Sequence, residues 1–525
     1  MRGSPFARFT EGPRRPAGPR DRHGAGISRG KPAPGIRFPW EPLLPQYNMA
    51  TIPMTSHPQS LPAAWAATLR AFGDAPAILG PEGDVRRSFA EIEAEAGRWA
   101  ASVPEGLGRG AVAGVQIGNR PEWPALVLAL ARRGLVTLPL GGHLGETERA
   151  AALACAGASA WIGAEPGGGL AWHPVPGVVR APAWPGPESG SAPDLLKLTS
   201  GTTAAPRAIR FRAGQLLADA GQIMETMGFG PGDLNYGVIP LAHSYGFSNL
   251  LLPLLAAGVP MVLSDDRMPR AILDGLARTG ATVFPGMPVF FDKLAALPDP
   301  PPLPRLRLCI SAGAPLTPET GGRFTERFGL RVHSFYGASE CGGIAYDRGE
   351  TGPYREGWVG EPMSRVRLIP REDGRITVCG PAVGEGYWPP EEEETLGSGG
   401  FVPGDLVRLE PGGGVVLTGR VSDVINVAGR KLNPGEVEAV LRRCPGVREV
   451  VVFGVPSRLR NEEAVACVAA EPGGVTAEAV LRHAQASLSL WQVPRAVWIV
   501  GAIPVSDRGK INRRALAQCY RSVKE

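Results

Sequence analysis

The sequence predicts an α/β protein: a large N-terminal domain of mostly parallel sheet, followed by a small α+β domain. Three observations predict it. Helical and strand-like patterns alternate from residue 60 to about residue 335, as βαβ units require. Hydrophobic residues make up 43% and charged residues 20%, which suits a chain with a sizeable core. Its 525 residues correspond to roughly two to four domains at about 150 residues each.

Residues 61–72 read as a helix and 77–80 as a short strand. A helix over 89–102 and a strand over 111–117 follow. Residues 121–134 form an apolar helix with Pro121 in its first turn, where a missing N–H costs nothing. Residues 135–138 form the next strand, and 165–193 are a Gly/Pro-rich connection. The alternation resumes with a strand at 194–199, a helix at 245–257 and a strand at 259–263. A helix at 270–279, a strand at 306–310, a helix at 318–328 and a strand at 331–335 complete the run. A second unit begins near residue 420. Asn433 can cap a helix through Cys444, Pro434 suits its first position, and Glu436 can reach back as in a capping box. Strands at 447–455, 464–470 and 496–500 and a helix at 476–488 complete about 100 residues, enough to fold alone.

The net charge of +5 is unevenly spread. Residues 1–48 hold eight Arg and Lys31 against Glu11, Asp21 and Glu41, a net +6, so the rest carries −1. A near-neutral body does not suit nucleic-acid binding. The basic segment is poor in apolar residues and reads as disordered. Its plainer reading is a start assigned too early, with Met49 or Met54 as the first residue; a targeting role is the alternative. The expected division is 1–48, an N-terminal domain over 49–419 and a lid domain over 420–525. Seven cysteines without C-x-x-C spacing suit a reducing cytoplasm and argue against a zinc site. No run of about 18 apolar residues occurs, so no membrane span is expected; peripheral membrane contact stays open.

Four loops carry the chemistry. Thr199, Ser200, Gly201, Thr202 and Thr203 offer hydroxyl and backbone donors without negative charge, which is what a polyphosphate needs, and Arg207 adds a cation. A solvated turn is the competing reading. Tyr336, Gly337, Ala338, Ser339 and Glu340 follow a strand, where open α/β sheets place ligands. Tyr336 can stack on a base, Ser339 can bond a phosphate, and Glu340 can hold Mg²⁺, which needs only one or two carboxylates beside phosphate oxygens. Asp405 can accept ribose hydroxyls with Arg420 beside it, or the two can form an ordinary ion pair. Lys510, beside Gly509, can enter a closed cleft or simply be solvated.

In order and spacing together, these loops resemble the adenylate-forming superfamily of acyl-CoA synthetases, peptide-synthetase adenylation domains and luciferases. The first loop is similar to its Ser/Thr/Gly phosphate loop, with Ala204 for the usual Gly and Arg207 for Lys. Gly313, Ala314 and Pro315 are similar to its adenine-side loop. Tyr336 to Glu340 resemble its Tyr-Gly-x-Thr-Glu motif, with Ser339 for Thr. Asp405, Arg420 and Asp423 resemble its ribose site and hinge, and Gly429 its thiol-channel glycine. Lys510 matches its catalytic lysine. The resemblance covers about residues 58–520.

That resemblance implies a distorted barrel within the large domain and a mobile small domain. It implies ATP, Mg²⁺ and coenzyme A, with a fatty or other acyl acid joined first to AMP and then to the thiol. A separate carrier protein bearing phosphopantetheine is the alternative acceptor, and a catalytically silent binding relative the alternative from another class. His243 is then a gate at the acyl pocket rather than a core residue. Ser244, Tyr245, Cys341 and Gly342 line that pocket. With no Asp beside Tyr245, a plain acid is expected rather than an amino acid. Gly342 and Gly343 leave room that favours a long or bulky acyl group.

Overall fold

Hydroxyl caps start the first two helices. Ser60 accepts the amide of Ala63 ahead of Leu61–Phe72, and Ser88 exchanges bonds with Glu91 ahead of Phe89–Ala101. The computed structural model describes residues 60–176, 182–184, 192–199, 207–390, 395–428, 430–457, 461–471, 473–504 and 511–524. The basic segment, Ser200 to Thr203, Gly429 and Lys510 lie outside the described residues. All described elements fall within the unit Phe38–Glu525.

Among the described residues, one seven-stranded sheet runs 386–388, 208–211, 195–198, 136–139, 112–116, 158–164, 170–174 in spatial order. An eleven-stranded sheet has a parallel centre that includes Val283–Gly286, Leu308–Ser311 and Val332–Ala338. It turns antiparallel through Gly342–Tyr346 and Trp358–Pro362 and ends on Val415–Arg420 and Asp405–Leu409. Val136–Pro139 and Leu308–Ser311 are buried along their whole length, as parallel strands covered on both faces are. Between the sheets the core is built on Trp65, Phe89, Trp123, Phe211, Phe247 and Phe284.

The distorted barrel expected in the large domain is not closed among the described residues. Arg367–Pro370, Ile376–Cys379, Gly400–Phe401 and Leu396–Gly397 make an open four-stranded sheet. The helix expected over 245–257 is interrupted by a π-turn, Phe247–Leu251. Pro253 has no N–H to return to Asn249, and the freed Asn249 carbonyl accepts instead from Asn235 Nδ2 at 3.4 Å. The Gly/Pro-rich connection contains a strand, Leu170–Pro174, because the Glu165–Gly169 turn folds it back on Ala158–Ala164.

The small unit has a sheet of its own, covered on both faces. Along Glu449–Ser457, Val450 and Val452 face the helices Pro434–Leu441 and Ala477–Ser487, while Val451 and Phe453 face Arg513–Lys524. Asn433 caps Pro434–Leu441 as expected, but through the amide of Gly435, and Glu436 makes no return bond there. The Asn433 side-chain amide is drawn the other way, to the Thr418 carbonyl at 2.9 Å. No described helix is long and apolar enough to cross a membrane.

Candidate active site

Leu195–Leu198 and Ala208–Phe211, the strands on either side of the hydroxyl-rich segment in the sequence, pair antiparallel. Next to them the Thr199 amide donates to the Arg207 carbonyl at 2.8 Å. The Arg207 guanidinium lies 4.6 Å from the centre of the Tyr387 ring. The Tyr387 hydroxyl in turn donates to Glu340 Oε1 at 3.3 Å. Arg207, Tyr387 and Glu340, distant in sequence, thus form one chain of contacts.

Glu340 sits in the turn between Val332–Ala338 and Gly342–Tyr346. A side chain at Gly337 would lie 2.8 Å from the Gly342 carbonyl, so the hairpin closes only with glycine there. The Gly384 amide holds the Glu340 carbonyl at 2.8 Å. Burial raises the Glu340 carboxyl above its ordinary range, against the pull of its own backbone, Tyr387 and Arg207. The Ser244 hydroxyl donates to Ser339 at 2.9 Å, tying the turn after His243 to this hairpin.

On the other side of the hairpin, the Tyr336 hydroxyl donates to Asp405 Oδ2 and Arg420 Nε donates to Asp405 Oδ1, both at 2.8 Å. The ordinary ion pair is therefore present. Each carboxylate oxygen keeps a further lone pair for a hydroxyl. Gly313, Ala314 and Pro315 follow Leu308–Ser311, the strand next to that of Tyr336, with Gly313 exposed.

His243 is exposed, so it is not a core residue. It accepts the Tyr245 amide at 3.3 Å. Tyr245 packs on Phe335 at 5.8 Å and donates to the Ile310 carbonyl. Cys341 is 2% exposed, and burial pushes its thiol well up. The room expected beside Gly342 and Gly343 is taken. A Cβ on Gly342 would meet Asp219 Oδ1 at 2.1 Å, and one on Gly343 would meet Met363 Sδ at 2.3 Å. That reason for a long or bulky acyl group falls away. Lys197 and Asp219, both buried here, went unnoticed in the sequence. A lysine in an otherwise apolar strand, Leu195–Leu198, is the signal that points to them.

Asp423 ends the turn after Val415–Arg420 and accepts from Arg513 Nη1 at 2.6 Å. Arg513 also donates to Glu438 Oε1 at 2.8 Å and to the Val452 carbonyl at 3.1 Å. Arg513 was likewise missed; its position three residues after Lys510 is the clue. A separate cleft of about 490 Å³, lined by residues such as Arg98, Trp99, Arg120 and Trp172, includes none of these loops.

Among the described residues no cluster of three acidic, His or Cys side chains could hold a metal unaided. A Mg²⁺ ion carried on phosphate needs only Glu340, a half-buried carboxylate beside Arg207, and the donor set fits it.

A family model described as AMP-binding enzyme matches residues 65–388, and one described as AMP-binding enzyme C-terminal domain matches 436–510. The chain is 30% identical to an oxalate–CoA ligase of Arabidopsis thaliana over 354 residues, 64% of this chain and 68% of that protein. It is 29% identical to a feruloyl-CoA synthase of Amycolatopsis over 421 residues, 75% of this chain and 85% of that one. The first relatives are matched over only 65–68% of their own length. The crystal structure of ATP-bound MatB from Rhodopseudomonas palustris superposes with a TM-score of 0.76 at 26% identity, covering 89% of this chain and 100% of that one.

Proposed function

The chain belongs to the AMP-binding enzyme family, and on that premise we propose that it is an AMP-forming acid–thiol ligase. It joins a carboxylic acid to the α-phosphate of ATP, releases pyrophosphate, and transfers the acyl group to the thiol of coenzyme A. The convergence of Arg207, Tyr387 and Glu340 where the hydroxyl-rich segment ends carries this reading.

The obstacle to the first step is bringing two anions together. At about 4 Å two unit charges repel by roughly 4 kcal/mol at an effective dielectric near 20. In this reading Thr199, Ser200, Gly201, Thr202 and Thr203 wrap the β- and γ-phosphates, and Arg207 supplies positive charge. Asp405, oriented by Tyr336 and Arg420, accepts the ribose hydroxyls. Gly313, Ala314, Pro315 and Gly337 border the base. When bound, Mg²⁺ supplies charge neutralisation on the phosphates, and Glu340 is the residue that would hold it. Lys510 bridges the carboxylate and the α-phosphate.

The boundary between the two domains is proposed at 419/420, with Asp423 as the hinge. Rotation there withdraws Lys510 and brings Gly429 to the thiol path. His243, Ser244, Tyr245, Cys341 and Gly342 border the acid. The test is carboxylate-dependent pyrophosphate release over a panel of aliphatic, aromatic and amino acids, with the thioester identified by mass after coenzyme A is added. Release with at least one acid, followed by a coenzyme A thioester, supports the reading. ATP-dependent release from no acid in the panel overturns it.

A further inference from the structure

Beneath the acyl side lies a buried charged group that the reaction above does not use. Lys197, Asp219 and Ser248 are 5%, 2% and 4% exposed. Among the described residues, Lys197 Nζ makes one long bond, to Ser248 Oγ at 3.4 Å, and lies over the rings of Phe211 and Phe247 at 4.7 and 5.9 Å. An ammonium has three donors. Asp219 Oδ1 accepts from the Gly343 amide at 3.1 Å and from Gln222 at 3.4 Å, while its buried Oδ2 has no partner. No ion pair joins Lys197 and Asp219 among the described residues; burial pushes the Lys197 ammonium below its ordinary range, and the charge of Asp219 works against that push. A buried donor and a buried acceptor, both short of partners, call for an explanation.

Their placement supplies one. Lys197 stands two residues before Thr199, on the strand that leads into the segment assigned to the phosphates. Ser248 lies in the π-turn that continues from His243, Ser244 and Tyr245, and such turns concentrate at functional sites. Asp219 presses against Gly342, two residues beyond Glu340. Lys197 thus lies at the entry to the segment assigned to the phosphates and bonds the turn that follows His243, Ser244 and Tyr245, while Asp219 lies against Gly342, so the pair borders both segments assigned to the acid.

We propose that Lys197 and Asp219 form the polar floor of the acyl site and select a short carboxylic acid bearing a hydroxyl on its chain. The proposal rests on the ligase reading. A hydroxyl accepts from the ammonium and donates to Asp219 Oδ2 at once. A second carboxylate would face the charge of Asp219, and an amine would face that of Lys197. An alkyl chain leaves both groups unmet, and sites built to bond a substrate hydroxyl reject the analogue lacking it. Length is limited because Asp219, Met363 and Phe335 fill the space beside Gly342 and Gly343.

The test uses the full chain and a series of straight-chain acids, each compared with its counterpart hydroxylated at carbon 2 through carbon 6. Octanoate, succinate and 4-aminobutyrate complete the panel. Two readouts are taken: kcat/KM for pyrophosphate release, and calorimetric binding of each acid beside a non-hydrolysable ATP analogue. At least one hydroxy acid should exceed its alkyl counterpart by about 100-fold. Lys197→Met and Asp219→Asn should shrink that ratio to a few-fold, with Ser248→Ala as the milder variant if either fails to fold. Octanoate or the plain acids matching every hydroxy acid would overturn the proposal, as would a ratio that survives the substitutions. Loss of pyrophosphate release with every acid would instead sink the ligase reading, and the calorimetric ratio would still decide this one.

Discussion

Replacing Arg513 with Ala removes three hydrogen bonds at once: to Asp423, Glu438 and the Val452 carbonyl. The side chains of Arg513, Asp423 and Glu438 are 26%, 23% and 9% exposed, so the group is neither free in water nor fully sealed. A hydrogen bond to a charged partner contributes about 1.5–3 kcal/mol when shielded. Solvent reaches the Asp423 end and cuts its share towards the low value of exposed pairs. Glu438 keeps the Val452 amide at 2.8 Å and is not abandoned. The net loss is about 3 kcal/mol, roughly 100-fold in the unfolding equilibrium of the small unit. Urea unfolding of the full chain, followed through Trp491 and Trp498 in that unit, measures it. Because Arg513 anchors the chain three residues past Lys510, the variant should also slow pyrophosphate release more than it weakens ATP binding. Arg513→Lys should recover only part of either effect, since one ammonium cannot reproduce the forked contact. A stability change below about 0.5 kcal/mol, with an unchanged rate, would refute the reasoning.

Asp405→Ala should raise KM for ATP about 10- to 100-fold with a smaller effect on KM for the acid, because it removes the acceptor that Tyr336 and Arg420 orient; steady-state kinetics in each substrate check this. Glu340 gives a pH signature. Its carboxyl titrates above the ordinary 4.5 because burial disfavours the charged form. Between 4.5 and that raised value the folded state binds more protons than the unfolded one, so this group's contribution to stability falls as pH rises through the window. In the proposed reaction metal-loaded ATP would be held by the ionised form, so KM for it should climb as pH falls, starting above the range of an ordinary carboxylate. Glu340→Gln should abolish that slope in a pH series of initial rates.

The local signals of the fold were legible where one rule acted alone. Alternating apolar runs marked the strands beside Val112–Gln116 and Val136–Pro139, and Asn433 with Pro434 marked the start of a helix. Tertiary demands were not legible. The π-turn at Phe247–Leu251 depends on Asn235 being near to take the Asn249 carbonyl. The strand Leu170–Pro174 exists only because Ala158–Ala164 offers an edge to pair with. At the site, the residues that touch phosphate and ribose in the proposed reaction came from loop composition. The supporting Tyr387, Lys197, Asp219 and Arg513 did not, because a side chain brought in from another element leaves no mark on the segment it serves. Gly342 shows the limit most plainly: the space beside a glycine is room for a ligand only if no neighbour, here Asp219, already fills it.

In the proposed reaction an ammonium delivered from the small domain joins acid to nucleotide. Carboxylate-dependent pyrophosphate release by the wild-type chain and by Lys510→Ala, with ATP binding measured alongside, tests it most directly. The rate should fall by about 100-fold or more with ATP affinity little changed. Release that continues undiminished without Lys510 would contradict it.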